Sequence, residues 1–171
     1  MRSWVLILCF TVVGCNDPAA PVQAKATKIK AGEIGSRLPD FSATDLLGQK
    51  ISSVDLRDKV VLIDIWATWC GPCKKEMPGY QELADKYGPK GLAVIGLKAN
   101  VMADTESPRT FAKKIGVHYP LLVATDDLLQ KFGGLEGLPT TLLYDRQGIL
   151  RKRVIGFEYT NVFDAAVKSL L

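Results

Sequence analysis

Cys70 and Cys73, separated by Gly71-Pro72, are the residues of this 171-residue chain best placed by type and spacing to do chemistry. They stand where the apolar run Val60–Trp66 gives way to a helical stretch. A helix N-terminus carries roughly half a positive charge and several unpaired backbone N–H groups. A thiolate at Cys70 is favoured there, and the thiolate is the reactive form of cysteine. Cys73, one turn further on, is close enough to attack a mixed disulfide formed at Cys70. Pro72 costs the helix little, because first-turn N–H groups have no helical partner. The pattern predicts dithiol–disulfide exchange, with Cys70 as nucleophile and Cys73 as resolving thiol.

Other chemistries of a Cys-x-x-Cys pair fit less well. A closed zinc site takes four nitrogen or sulfur ligands, and beyond the N-terminal leader only Cys70, Cys73 and His118 remain. No metal site is expected, and no cofactor beyond the redox-active disulfide. A c-type haem site needs histidine directly after the second cysteine, where this chain has Lys74. A purely structural disulfide would close a very short loop, where the gain in chain entropy is smallest. A copper-handling protein stays as an alternative through His118, the chain's single histidine.

The segment Trp69-Cys70-Gly71-Pro72-Cys73-Lys74, with Asp64 six residues before the first cysteine and Pro78 five after the second, resembles thioredoxins. Lys74-Lys75-Glu76-Met77-Pro78 is closer to the membrane-anchored, exported TlpA/ResA-like branch of that family. The resemblance covers about residues 33–171. It implies an α/β thioredoxin fold with an N-terminal β-hairpin and a central strand–helix insertion. It also implies that Asp64 accepts a proton beneath Cys73, and that Pro139 is a cis-proline facing the dithiol. Trp69, Gly71, Pro72, Leu138, Pro139 and Gly156 would form the docking surface, with the Leu138 backbone free to pair with an extended substrate. Lys98 is a candidate to approach Asp64 from the side. The implied partners are disulfide-bearing exported proteins and a membrane thiol-reductase that resupplies electrons, with cytochrome c maturation as the pathway. Pro39-Asp40-Phe41 and the hairpin after it also resemble the entry of peroxiredoxins, which makes a peroxidase the second alternative. The P-x-x-x-T-x-x-C pattern of that family is missing here.

The rest of the chain reads as what must deliver and position this pair. Met1-Arg2-Ser3 and the apolar Trp4–Val13 form a short n-region and h-region, too short to span a bilayer. The stretch ends in Val12-Val13-Gly14-Cys15, which looks like a bacterial lipoprotein signal covering residues 1–14, with Cys15 as the lipidated residue. Several acyl chains on one residue would anchor the protein stably in a membrane. The expected location is therefore the bacterial periplasm or the outer face of the cytoplasmic membrane. Residues 15–32 lack an apolar period and read as a flexible tether, and residues 33–171 as the thioredoxin-like domain. The net charge of +4 includes no basic run and no aromatic-interleaved patch, which argues against nucleic acid as a partner.

Within the domain, Asp40–Asp45 and Lys50–Ser52 read as a hairpin, and Val60–Trp66 as a central strand covered on both faces. Cys73–Tyr87 reads as a helix with Leu83 and Tyr87 inward, stopped by Gly88-Pro89. Leu92–Leu97 is the next strand, and Ser107-Pro108 caps a helix running through Ile115. Val117–Ala124 is expected as a strand containing His118, and Asp126–Phe132 as a short helix. Thr141–Tyr144 and Ile149–Ile155 form a hairpin about Asp145–Gly148. Thr160 is expected to cap the closing helix.

Overall fold

A computed structural model describes residues 29–171, so the leader, Cys15 and most of the tether lie outside the described residues. A five-stranded mixed sheet carries the domain, in the order β5-β4-β3-β6-β7. β3 (Val60–Trp66) is its centre and runs parallel to β4 (Leu92–Lys98), which pairs in parallel with β5 (Leu121–Val123). On the other side β6 (Thr140–Tyr144) and β7 (Leu150–Ile155) pair antiparallel. Every residue of β3 is buried, as its continuous apolar run requires of a strand covered on both faces.

The alternation of β3 separates two cores. Val60, Leu62 and Trp66 face α1 (Gly71–Tyr87), α2 (Pro108–Lys114) and α4 (Thr160–Leu170), packing with Met77, Tyr80, Leu83, Phe111 and Phe163. Val61, Ile63 and Ile65 face the opposite way, against Phe41, Leu56 and the residues Leu128, Leu129 and Phe132 in and just after α3 (Asp126–Lys131). A small hairpin of β1 (Ser42–Thr44) and β2 (Lys50–Ser52) covers the β5 edge, through Asp45 bridging Leu122 and Leu46 N–H donating to Leu121 O. That edge would otherwise present unpaired backbone groups to solvent. On the α3 side, Gly32 already packs on the backbone of Phe132 and Gly133.

The mixed α/β architecture, the N-terminal hairpin and the strand–helix insertion β5–α3 agree with the expected fold. Three local expectations need correction. Only Leu121–Val123 of the segment 117–124 is strand. Val117, Tyr119 and Leu121 alternate inward around an exposed His118, which imitates a half-buried strand, but the first four residues follow α2 as irregular chain. Tyr159, not Thr160, precedes the first turn of α4, and no side chain caps it. Thr160 instead turns its hydroxyl onto α1, where a Cβ on Gly79 would lie 1.9 Å from Thr160 Oγ1. The strand expected over Asp40–Asp45 is limited to Ser42–Thr44.

Candidate active site

Cys70 is the N-cap of α1 and Cys73 lies on its first turn, joined to it by a disulfide. Cys70 Sγ accepts from Cys73 N–H at 3.2 Å, so a sulfur of the disulfide is also the helix cap. Helix-terminal N–H groups aimed at a sulfur lower its pKa once it is reduced. Cys70 keeps 3% of its surface exposed and Cys73 none. Gly71 and Pro72 are exposed beside them and Trp69 is half-buried. α1 continues without interruption past Pro78 to Tyr87.

Asp64 is fully buried on the α1-facing side of β3, level with Gly96 of β4 and Thr141 of β6. It does not sit alone. Glu76, three residues after Cys73 on the buried face of α1, shares its environment, as do Tyr80, Tyr119 and Thr141. Tyr119 Oη donates to Asp64 Oδ2 at 3.2 Å. Tyr80 Oη donates to Glu76 Oε1 and lies 2.8 Å from Thr141 Oγ1. Asp64 Oδ1 and Glu76 Oε2 have no hydrogen-bond partner among the described residues. Burial, and then the neighbouring Glu76 carboxyl, push Asp64 well above the ordinary carboxylate range, while the Tyr119 hydrogen bond pulls it back. Burial pushes Glu76 up to about 7, against the opposing pull of Tyr80 and the Glu158 backbone amide. The arrangement is a buried pair of carboxyls of raised proton affinity, one of them on the helix that starts at the dithiol.

Lys98 does not join this pair. Its register partner is Trp66, two residues beyond Asp64, and its buried ammonium goes to Asp104 Oδ2 at 2.7 Å and Asn100 Oδ1 at 3.2 Å. Asp104 Oδ1 also accepts from Thr68 Oγ1 at 2.9 Å, and Thr68 Oγ1 accepts from Thr105 N–H at 3.2 Å. Lys98 thus straps the loop after β4 onto the turn that carries Trp69 and Cys70.

At the same end of the sheet, Leu138–Pro139 is a cis peptide and Gly156 N–H donates to Pro139 O at 2.8 Å. Gly156 has φ +92, a conformation suited to glycine. Ile155, Phe157 and Tyr159 are exposed around it. Trp69, Gly71, Pro72, Leu138, Pro139 and Gly156 thus all belong to segments at the C-terminal end of β3 or the adjoining ends of β6 and β7. His118 does not belong there. It lies three residues before Leu121, whose partner Gly96 is level with Asp64, so it falls toward the opposite end of the sheet. Among the described residues no group of three or more His, Cys, Asp and Glu side chains is arranged to hold a metal ion.

Residues 34–153 match the AhpC/TSA family. The thiol-disulfide oxidoreductase ResA of Bacillus thuringiensis (strain Al Hakam) is 34% identical over 139 residues, covering 81% of this chain and 79% of that protein. ResA of Geobacillus thermodenitrificans (strain NG80-2) is 32% identical over 156 residues, covering 91% and 86%. The chain belongs to the AhpC/TSA family and is a ResA-like thiol-disulfide oxidoreductase. Among solved structures, the oxidoreductase superposes on a thioredoxin-family thiol:disulfide interchange protein from Chlorobium tepidum TLS with a TM-score of 0.73. The two are 28% identical, over 82% of this chain and 99% of that one.

Sequence reasoning missed Glu76, Tyr80 and Tyr119 in this oxidoreductase. For the first two a signal existed: Cys73, Glu76, Met77, Tyr80, Leu83 and Tyr87 recur at helical spacing along one stripe, so the acid had to be buried. Tyr119 had none, because 55 residues separate it from Asp64.

Proposed function

We propose that this oxidoreductase reduces disulfides of exported proteins at a membrane surface, tethered through a lipidated Cys15. The observation that carries the reading is the juxtaposition of the Cys70–Cys73 disulfide at the start of α1 with two buried acids of raised proton affinity. In the reduced enzyme, Cys70 thiolate attacks a substrate disulfide. One substrate sulfur becomes bonded to Cys70 Sγ and the other leaves as a thiolate that takes up a proton. Cys73 then gives its proton to the Asp64–Glu76 pair and attacks Cys70 Sγ. The Cys70–Cys73 bond forms, the Cys70–substrate bond breaks, and two electrons have passed to substrate.

The two acids interact, so they titrate as a pair and not as independent groups. One retained proton relieves the repulsion between them and leaves one carboxylate as acceptor near neutral pH. Trp69, Gly71, Pro72, Leu138, Pro139 and Gly156 receive the substrate, whose extended chain pairs with the Leu138 backbone. A membrane thiol-reductase returns the electrons, and cytochrome c maturation is the process that the ResA-like kinship favours.

Cys73→Ser tests the roles directly. It accumulates reductant-sensitive covalent complexes with substrate proteins, and Cys70→Ser accumulates few; the opposite pattern overturns the assignment. With Gly71-Pro72 between its cysteines, as in thioredoxin, the couple is expected below about −200 mV. A potential near the roughly −120 mV of DsbA reverses the electron flow. Because the chain belongs to the AhpC/TSA family, peroxide is included as an alternative oxidant, and rapid peroxide consumption with thiol turnover favours a peroxidase. Copper retained by the reduced dithiol against a competitor favours the copper-handling reading.

A further inference from the structure

Asp64 has a single hydrogen-bond partner among the described residues, and that partner is held in place with unusual care. Tyr119 belongs to the irregular chain between α2 and β5, a segment with no helical or strand ladder of its own. Two clamps fix its backbone. Gln81 Oε1 on α1 accepts from His118 N–H at 2.7 Å and from Tyr119 N–H at 3.1 Å, while the Gln81 amide donates to Asp85 at 2.7 Å. On the sheet side, Gly96 N–H donates to Pro120 O at 2.9 Å.

Gly96 also makes room for the ring. It is the β4 residue level with Asp64, and a Cβ there would lie 3.2 Å from Tyr119 Cε2, 3.0 Å from Trp66 Nε1 and 2.4 Å from Leu121 Cδ2. The gap in the side-chain layer beside Asp64 is shared by Leu121, Trp66 and Tyr119, and the Tyr119 hydroxyl reaches the carboxylate at 3.2 Å. The other groups that face Asp64 supply no comparable support. Glu76 and Tyr80 come from α1 and Thr141 from β6; the Tyr80 hydroxyl is engaged by Glu76 and Thr141. Cys73 lies on the same helix as Glu76 and is the proton donor in the resolving step. Lys98 is engaged by Asp104 and Asn100.

We infer that Tyr119 is a positioning residue for the exchange reaction, clamped by Gln81 and seated in the Gly96 gap so that its hydroxyl holds Asp64 in the carboxylate form that receives the Cys73 proton. The inference rests on the proton-acceptor role assigned to Asp64 above. A phenol donor stabilises the carboxylate and not the protonated acid. Without it, Asp64 stays protonated to higher pH and is empty as an acceptor over a narrower range. The tyrosine takes no proton from Cys73 itself; it acts through Asp64.

Tyr119→Phe removes the hydroxyl and keeps the ring in its gap. Two readouts separate this inference from the role of Asp64. The first is the titration of the Asp64 carboxyl by isotope-edited infrared spectroscopy, which needs no substrate. The variant's midpoint is expected to rise by about one pH unit, the size of one hydrogen bond to a charged group. The second is the rate at which a mixed disulfide on Cys70 is resolved, measured from pH 5 to 9. Its acidic limb is expected to move up by the same interval, and Tyr119→Phe in an Asp64→Asn background is expected to cause no further shift. An Asp64 midpoint unmoved by Tyr119→Phe overturns the inference. A midpoint that moves while the resolution profile does not overturns the acceptor role of Asp64, and with it any part of Tyr119 in the reaction. A purely structural role for Tyr119 would lower stability and leave both midpoints where they were, which also overturns it.

Discussion

The two faces of β3 solve different problems with the same seven residues. On one face Val61, Ile63 and Ile65 pack with apolar side chains and aromatic rings from the N-terminal segment, α3 and the β6–β7 hairpin. The Tyr144 phenol in that core is pushed up by burial, against the opposing pull of Arg153, which stands beside Leu142 on the same face. On the other face Leu62 and Trp66 flank Asp64, and Glu76 comes down onto it from α1. Two acids in one apolar layer, each with an unpartnered oxygen, are costly to a fold. The apolar face builds the domain; the polar face stands, at the expense of stability, on the side of the sheet that carries the disulfide helix.

The sharpest way to break this contrast is to damage the apolar face alone. Ile63→Ala should cost about 2–5 kcal/mol, the range for a truncated core side chain that leaves a cavity. It should leave the pH dependence of exchange unchanged, because no proton acceptor is touched. Chemical denaturation and resolution kinetics on one preparation check both halves.

Glu76→Gln acts in the opposite sense. Burial in the folded protein pushes Glu76 up to about 7, against an ordinary value of 4.5. Its proton is therefore held more tightly in the folded state. The stability this lends is complete below about pH 4.5 and is lost as pH rises through 7. The loss is on the order of 3 kcal/mol across that window. Glu76→Gln should lack that decline, so its stability relative to wild type should rise between those limits as measured by denaturation at stepped pH. Asp64→Asn should behave likewise, because burial also makes the folded protein hold the Asp64 proton more tightly.

The smallest effect is expected at Asp104→Asn. Asp104 is 28% exposed, which screens its pairing with the buried Lys98, and the amide still accepts a hydrogen bond. A cost of about 1 kcal/mol by denaturation is expected, with the resolution profile unmoved, since Lys98 is bound to the loop and not to Asp64.

How much of this was legible in advance follows from distance along the chain. Val60–Trp66 was read to the residue, because a continuous apolar run with a single acid admits few folds. The N-cap at Ser107 was equally local; its hydroxyl accepts from Thr110 N–H. Asp64 could be located by its place in the motif, but its company could not. Tyr119 reaches it from 55 residues away and Thr141 reaches Tyr80 from 61. The expectation that Lys98 would fill that place failed by register, since a residue opposite Trp66 projects past Asp64 toward the following loop. Val117–Ala124 was misread because burial alternated without any strand partner to cause it. What turns Tyr119 inward is Gln81 of α1, and nothing within that segment encodes the contact.

The most direct test of the polar face is the resolution of a mixed disulfide on Cys70, followed by stopped flow from pH 5 to 9. It would compare wild type with a variant carrying both Asp64→Asn and Glu76→Gln. If the buried pair receives the Cys73 proton, the double variant should resolve about a hundredfold more slowly near neutral pH, at the lower end of what a positioned base contributes. Its rate should then climb with pH along the titration of the Cys73 thiol alone. Equal rates and equal pH profiles in the two proteins would show that the acids do not carry the proton, and would leave their burial beside the disulfide without a catalytic reason.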